Sequence, residues 1–404
     1  VTHHRLEGGK DGLEPAGKLE SPYVIRPTSE TIIGHSFAKW INSYRDLPLL
    51  INQWANVMRW EMRTRVFLRT SEFLWQEGHT AHETKEEAFE ETMKMLDIYS
   101  HFCHDTLAIP VISGEKTDSE KFPGADRTFT IEGMMQDGKA LQAGTSHFLG
   151  RNFSKASEIK FLNRKGEEEY CWTTSWGVST RLIGGLIMTH GDDNGMIVPP
   201  KIAKDHVVII PIIHKDIDYD KVMNFCNKLT EDLKLVEFNG QKISVVLDRR
   251  EMRGGEKTWS WIKKGIPLIV EVGPRDVDKN GVFVGRRDVL PGGKEGKNRD
   301  EFLSEIPGIL ADIQNTLYER AVSRQQEKTT MIDIKDDFYK FFKGENNGFA
   351  LTHWNGSSEI EEKIKSELNV TIRCIPQKDN GGGPGICPFS GEKSQQRVLF
   401  AKSY

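Results

Sequence analysis

Along the first 200 residues apolar positions recur mostly at every second place. Leu49 to Trp60 and Phe67 to Gln76 therefore read as strands. After Thr84 the spacing lengthens: Phe89, Met93 and Leu96 share one face, with acids and lysines opposite, which predicts a helix. Two consecutive prolines, Pro199 and Pro200, can continue neither a helix nor an inner strand and close this unit. From Val207 the pattern changes to short apolar runs separated by helical stretches. Val207 to Ile210, Ile243 to Leu247, Pro267 to Val272 and Val282 to Val284 are the runs; Tyr219 to Leu235 and Thr258 to Lys264 are the helices. That alternation predicts an α/β unit with a largely parallel sheet. A helix near Phe302 to Arg324 leads to a third unit from about Met331. It carries a loop, Asp379 to Gly385, too rich in glycine for regular structure. No internal repeat is visible.

Composition narrows the class. The 404 residues carry 55 Lys+Arg against 59 Asp+Glu, a net charge of −4, with 37% hydrophobic and 28% charged residues. This is a globular composition, and the length predicts two to four domains, taking roughly 100–200 residues for each. The longest apolar run, Val207 to Ile213, is broken by Pro211 and falls far short of the ~20 residues that span a bilayer. No membrane association is expected. The opening Val1-Thr2-His3-His4-Arg5 has no apolar core of a secretory signal, and five scattered cysteines suit a reducing cytoplasm. Mild acidity argues against a chain that is basic all over, as many nucleic-acid binders are.

Candidate chemistry concentrates between Arg26 and Arg181. Arg26-Pro27-Thr28-Ser29-Glu30-Thr31 sets two hydroxyls and a carboxylate ahead of a helix, a pattern that also serves as an ordinary helix cap. On a strand, Arg59 and Glu61 would share a face, as a salt bridge or as groups lining one space. Phe67 to His79 interleaves aromatics with Arg69, Glu77 and His79, more polar groups than one packed face takes. Gln142 to His147 is a turn of small residues with donors and acceptors. Ser179-Thr180-Arg181 opens an apolar helix whose Gly184 and Gly185 permit close packing. A buried Arg181 needs an anion, supplied by Asp192-Asp193 or by a phosphate. No P-loop, dinucleotide fingerprint or Cys/His metal spacing occurs in the first 200 residues. Several arginines without a phosphate loop suggest a bent nucleotide clamped by side chains.

These segments together resemble the prolyl-tRNA synthetase family of class II aminoacyl-tRNA synthetases. The resemblance rests on Arg26 to Thr31, Asn52 to Glu61, Phe67 to His79, Leu141 to Gly150 and Thr174 to Gly177. Arg59-Trp60-Glu61 is similar to the Arg-x-Glu of motif 2, and Gly177 to Arg181 to motif 3. It extends from Val1 to Tyr404. Too few residues separate Glu77 from Gly177 for the editing insertion of many bacterial members, so an archaeal/eukaryote-like architecture is implied. The implied fold class is α/β: an α+β catalytic domain on an antiparallel sheet (1–203), an α/β anticodon-binding domain with a mixed sheet (204–310), a helical linker (311–330) and a small α+β C-terminal domain (331–404). Val1 falls after the family's motif 1, so the catalytic unit is expected to lack that motif.

The resemblance implies an ATP-dependent ligase joining L-proline to tRNA(Pro), homodimeric and cytoplasmic, with ATP and Mg²⁺. Thr28 and Glu30 would bind the imino nitrogen, with Trp75 and His147 walling the amino-acid pocket. Arg59 would touch the substrate carboxylate and the α-phosphate, making it and Arg181 the catalytic arginines. Phe73 would stack on adenine beside Glu61, Arg69 and Thr70. Gln142 and Thr145 would lie near the phosphates and Mg²⁺, and Ser179 and Arg181 would hold the distal end of ATP. Proline's two N–H donors need acceptors, and two anions approaching each other need cations. Exclusion of alanine and cysteine is expected to be incomplete, because apolar discrimination is worth only ~1–3 kcal/mol per methylene. The family's C-terminal domain often holds zinc on four cysteines. Here Cys374 and Cys387 match two, while Trp354 and Ser390 occupy the other places, and two thiolates cannot complete a tetrahedral site. No zinc is expected.

Between Asp248 and Asp300 the local balance is 13 − 9 = +4. Arg249, Arg250, Arg253, Lys257, Lys263, Lys264, Arg286 and Arg287 are candidates for phosphate contacts. By resemblance, Lys257, Glu271 and Arg275 are candidates for reading anticodon bases. Two rivals stand beside this reading: a threonine-type class II synthetase, which would want a zinc ligand set in its pocket, and a catalytically inactive tRNA-binding paralogue.

Overall fold

The computed structural model describes residues 2–10, 12–213, 219–290, 292–344, 348–378 and 382–404. An exposed antiparallel hairpin, Thr2–Gly9 with Gly12–Tyr23, comes first and pairs only with itself among the described residues. Its sequence has no alternation, and no strand was expected there.

A ten-stranded sheet organises most of the remainder. From edge to edge it runs Thr329–Met331, Phe349–His353, Arg397–Ala401, Thr371–Pro376, Val111–Glu115, Arg127–Met134, Ala140–Gly150, Trp172–Ser179, Glu72–His82 and Leu49–Met58. The six strands from Val111–Glu115 to Leu49–Met58 are joined antiparallel throughout. Edge strand Leu49–Met58 shows the alternation its sequence predicts, with Ile51, Gln53, Ala55 and Val57 turned inward. The expected strand from Phe67 starts later. Phe67 has φ of 59° in a turn between Arg65 and Arg69, and the strand begins at Glu72. From Glu77 to His82 every residue is buried, which explains why polar and apolar groups there do not alternate by face.

Helix Lys85–His101 starts where the pattern placed it, because Thr84 and Glu87 form a reciprocal capping box. It packs Leu96 and Tyr99 against Trp176 and the sheet. Trp176 fits because Gly78 lies opposite it; a Cβ there would come within 2.0 Å of the indole. Helix Arg181–His190 packs closely for the same reason, Gly184 leaving room for Leu68.

The second unit has a five-stranded sheet ordered Val245–Leu247, Val207–Pro211, Leu268–Val272, Gly281–Arg286, Lys294–Asn298. The first three strands are parallel and the last two antiparallel, a mixed sheet. Helix Arg299–Glu327 is continuous across the expected boundary at 310, so no separate linker begins there. Phe302, Ile306 and Leu310 pack on this sheet. The third unit departs from expectation in its connection. Its strand Thr371–Pro376 pairs with Val111–Glu115, merging its sheet with the catalytic one. Of the expected glycine-rich loop, Asp379-Asn380-Gly381 lie outside the described residues, while Gly385–Ile386 form a short strand with Lys393–Ser394.

Candidate active site

One face of the antiparallel sheet opens into a cleft of about 460 Å³. It is lined by Thr28, Glu30, Arg59, Glu61, Arg69, Thr70, Phe73, Trp75, Gln142, Thr145, His147, Ser179 and Arg181, so the candidates from five separate stretches of sequence converge there.

Thr28 and Glu30 sit where chain meets helix Glu30–Trp40. Ser29 occupies the N-cap position but caps nothing with its side chain; its hydroxyl donates to Glu77 instead. The carboxylate of Glu30 is buried at the positive end of the helix, accepting from the Thr28 hydroxyl and from Ser175 Oγ at 3.1 Å. A second carboxylate, Glu77, accepts from Ser29, from Gln53 Nε2 at 2.6 Å and lies 3.2 Å from His79 Nε2. Burial alone would push the Glu77 pKa up, but the hydrogen bonds from His79, Ser29 and Gln53 hold it below the usual value.

Arg59 and Glu61 line the same cleft but form no ion pair with each other among the described residues. Residues 59–61 lie past the end of the strand. The Arg59 guanidinium donates to Pro27 O at 3.0 Å and lies over Phe73 and Trp75, 5.3 and 5.5 Å from their ring centroids. Desolvation lowers its pKa against the opposing pull of Glu30 and Glu77. Glu61 pairs with Arg69 at 3.3 Å. Arg181 is half-buried and donates to two backbone carbonyls, Leu68 O at 3.0 Å and Gln142 O at 3.5 Å. Its suggested partner Asp192 is taken: it forms a two-pronged pair with Arg287 at 2.6 and 2.8 Å. Arg59 and Arg181 thus make no ion pair among the described residues, and both face the cleft.

His147 stacks beside Phe122, 4.7 Å between centroids, and its Nδ1 lies 3.0 Å from Thr128 Oγ1. Burial, reinforced by His79 and Arg59, brings its pKa down to about 3, so it is a neutral hydrogen-bonding group. The sequence flagged Ser29, Glu77 and His79 as polar groups in unusual settings without giving them a role, and missed Gln53, Ser175 and Phe122. Gln53, a polar residue on the inward face of a strand, carried a signal that could have found it.

In the second unit Lys257 is buried and donates to Asp248 O at 3.1 Å. Glu271 accepts from Thr258 at 2.8 Å and from Lys294 at 2.6 Å, and Arg275 is exposed. Of the expected phosphate-contact residues, three besides the buried Lys257 are otherwise engaged. Arg287 is buried against Asp192, Arg286 pairs with Asp288 and Asp312, and Arg250 pairs with Asp248. Arg249, Arg253, Lys263 and Lys264 are exposed. Cys374 and Cys387 are buried free thiols, and Cys374 packs among Phe349, Leu351 and Leu399. Among the described residues no group of three or more His, Cys, Asp or Glu is placed to hold a metal ion.

An antiparallel sheet whose cleft gathers two cations without ion pairs beside two buried carboxylates, joined to a mixed α/β unit, defines a class II aminoacyl-tRNA synthetase. The comparisons agree. Residues 16–190 match the tRNA synthetase class II core domain (G, H, P, S and T), residues 206–308 the anticodon binding domain, and residues 336–404 the prolyl-tRNA synthetase C-terminal family. The chain is 54% identical to proline–tRNA ligase 2 of Anaeromyxobacter dehalogenans and 56% identical to proline–tRNA ligase of Bdellovibrio bacteriovorus. All of this chain and 81% of each relative are covered. Prolyl-tRNA synthetase from Cryptosporidium parvum, solved with L-proline and AMP, superposes with a TM-score of 0.90 at 40% identity, over all of this chain and 82% of that one. The chain belongs to the proline–tRNA ligase family.

Proposed function

We propose that the chain activates L-proline with ATP to prolyl-adenylate and transfers the prolyl group to the 3′ end of tRNA(Pro), releasing AMP and pyrophosphate. The observation that carries this reading is the pairing of opposites in one cleft. Thr28 and Glu30 offer acceptors, while Arg59 and Arg181 offer cations that make no ion pair among the described residues. The imino group of proline would donate to Thr28 and Glu30, between the walls of Trp75 and His147. Its carboxylate oxygen attacks the α-phosphorus, and the bond to the pyrophosphate oxygen breaks. Arg59, which lines the cleft, would draw the two anions together; Arg181 and Ser179 would hold the leaving pyrophosphate. Phe73 would support adenine, with Glu61, Arg69 and Thr70 around the nucleotide. No protein nucleophile is needed, because positioning and charge stabilisation supply the catalysis.

Mg²⁺ fits the donor set in a restricted way. The cleft carboxylates Glu30, Glu61, Glu77 and Glu120 are engaged with protein partners, so phosphate oxygens would hold the ion, with Gln142 and Thr145 as neutral oxygen ligands. When bound, the ion would neutralise developing phosphate charge. A catalytic unit at 1–203, an anticodon-binding unit from 204 that includes the helix Arg299–Glu327, and a C-terminal unit at 331–404 belong to the same reading, with Lys257, Glu271 and Arg275 as anticodon candidates. A cytoplasmic homodimer is also part of it. What supports the dimer is the outward face of the edge strand, where Leu50, Trp54 and Met58 are exposed in a row.

The test is pyrophosphate exchange with proline, threonine, alanine and cysteine. Proline should exchange best, with weaker turnover of alanine and cysteine. Absence of exchange with every amino acid would sink the ligase reading, and a threonine preference would sink the proline assignment.

A further inference from the structure

The segment 116–123 forms one wall of the cleft through Lys116, Glu120, Lys121, Phe122 and Pro123, yet it contains no helix or strand. Its position must come from its contacts. Lys116 at its start donates to the buried Glu132 at 2.9 Å and to Arg373 O at 2.6 Å. The middle is held from the third unit. Glu361, buried on helix Ser358–Leu368, accepts from Thr117 Oγ1 at 2.9 Å with one carboxylate oxygen and from Ser119 Oγ at 2.5 Å with the other. One turn further along that helix, Lys365 pairs with Glu120 at 2.7 Å. At the far end Phe122 lies against His147, and both its backbone N–H and His147 Nδ1 reach the Thr128 hydroxyl at 3.0 Å.

We infer that Glu361 is a positioning residue for the amino-acid pocket, holding 116–123 so that Phe122 stays packed on His147. This rests on the reading that proline occupies the His147 end of the cleft. Both oxygens of this buried carboxylate are satisfied by the segment, so removing it takes the shared acceptor from Thr117 and Ser119, leaves them only each other at 3.1 Å, and loosens the wall. The nucleotide end, around Arg69, Phe73 and Arg181, has no contact with Glu361, so its effect is confined to the amino-acid side.

Glu361→Ala, Glu361→Gln and the double variant Thr117→Val/Ser119→Ala separate the possibilities in the full chain. Glu361→Ala should raise the KM for proline in pyrophosphate exchange roughly tenfold, the scale of a lost buried hydrogen-bond pair, and leave the KM for ATP within about twofold. Glu361→Gln, which keeps an acceptor and a donor for the two hydroxyls, should recover most of this. The loop variant should reproduce it, with no further loss when combined with Glu361→Ala, and it serves if Glu361→Ala does not fold. Backbone amide exchange of 117–122 should accelerate in Glu361→Ala, independent of any activity. Parallel rises in both KM values, or unchanged KM and unchanged amide exchange, would overturn the inference. If the parent chain exchanged with no proline while the amide effect persisted, the proline reading would fail and the clamp would stand as structural only, which also overturns the positioning role.

Discussion

Arg59 and Arg181 in the cleft, and Arg286 and Arg287 in the 206–308 unit, look alike in the sequence: arginines in short apolar surroundings. In the structure they have opposite meanings. The cleft pair donate to backbone carbonyls and leave the rest of their charge facing an open space. Arg286 and Arg287 are committed to Asp288, Asp312 and Asp192. A cation with an internal carboxylate has spent its attraction on the fold. One held only by neutral groups retains it for a ligand. The excess of +4 between Asp248 and Asp300 must be read in the same way, because Arg250, Lys294, Lys297 and Arg299 are also paired internally.

The largest effect that tests this contrast is Arg59→Ala. Proline-dependent pyrophosphate exchange should fall about 10³-fold, the upper range for losing one preorganised charge stabiliser, while thermal unfolding shifts little. Exchange within tenfold of the parent would mean the cation is not facing substrate. Arg287→Ala should do the reverse. It leaves Asp192 without its partner, and should cost about 2–3 kcal/mol of stability in denaturant unfolding, tempered by the partial exposure of Asp192. A loss of exchange in the folded variant that exceeded the loss of stability would blur the distinction.

Acid provides the next test. His82 and His190 are held by burial at pKa values of about 4, well below the ordinary 6.5, and His147 at about 3. Each stays neutral when folded but takes a proton when unfolded below pH 6.5. Stability is therefore full above that value and falls as pH drops toward 4, by about 1 kcal/mol per histidine at pH 5.5. Stability that stayed constant from pH 7 to 5.5 would contradict the burial of all three. The smallest expected effect belongs to an exposed cation of the second unit. Lys263→Ala should leave pyrophosphate exchange intact, weaken tRNA charging a few-fold, and reduce the slope of log affinity against log salt by about one. An unchanged slope would remove Lys263 from the tRNA face.

Much of the fold was legible because its signals are local. The helix after Thr84 begins with a capping box spanning four residues, and the strands from Val207 to Val284 are bounded runs of β-branched residues. The site was legible in its residue types: every catalytic-unit candidate lines the cleft. Its wiring was not. Ser29 reads as a cap and bonds to Glu77, 48 positions away; Arg59 reads as the neighbour of Glu61 and lies over Phe73 and Trp75. Thr117 and Glu361 are separated by 244 positions, and neither lies in a pattern that announces the other. The strand pairing of Ile375 with Glu115, which makes one sheet of two expected domains, leaves no trace in either segment.

The sequence by itself determined many of the elements, though not the first hairpin or the turn at Phe67, together with the α/β alternation of the second unit and the identity of the groups available for chemistry, since periodicity, capping and side-chain type act over a few residues. Only the tertiary structure decided which charges neutralise one another and which remain for substrate. That choice depends on partners brought together from distant positions, and on how much water each pair excludes.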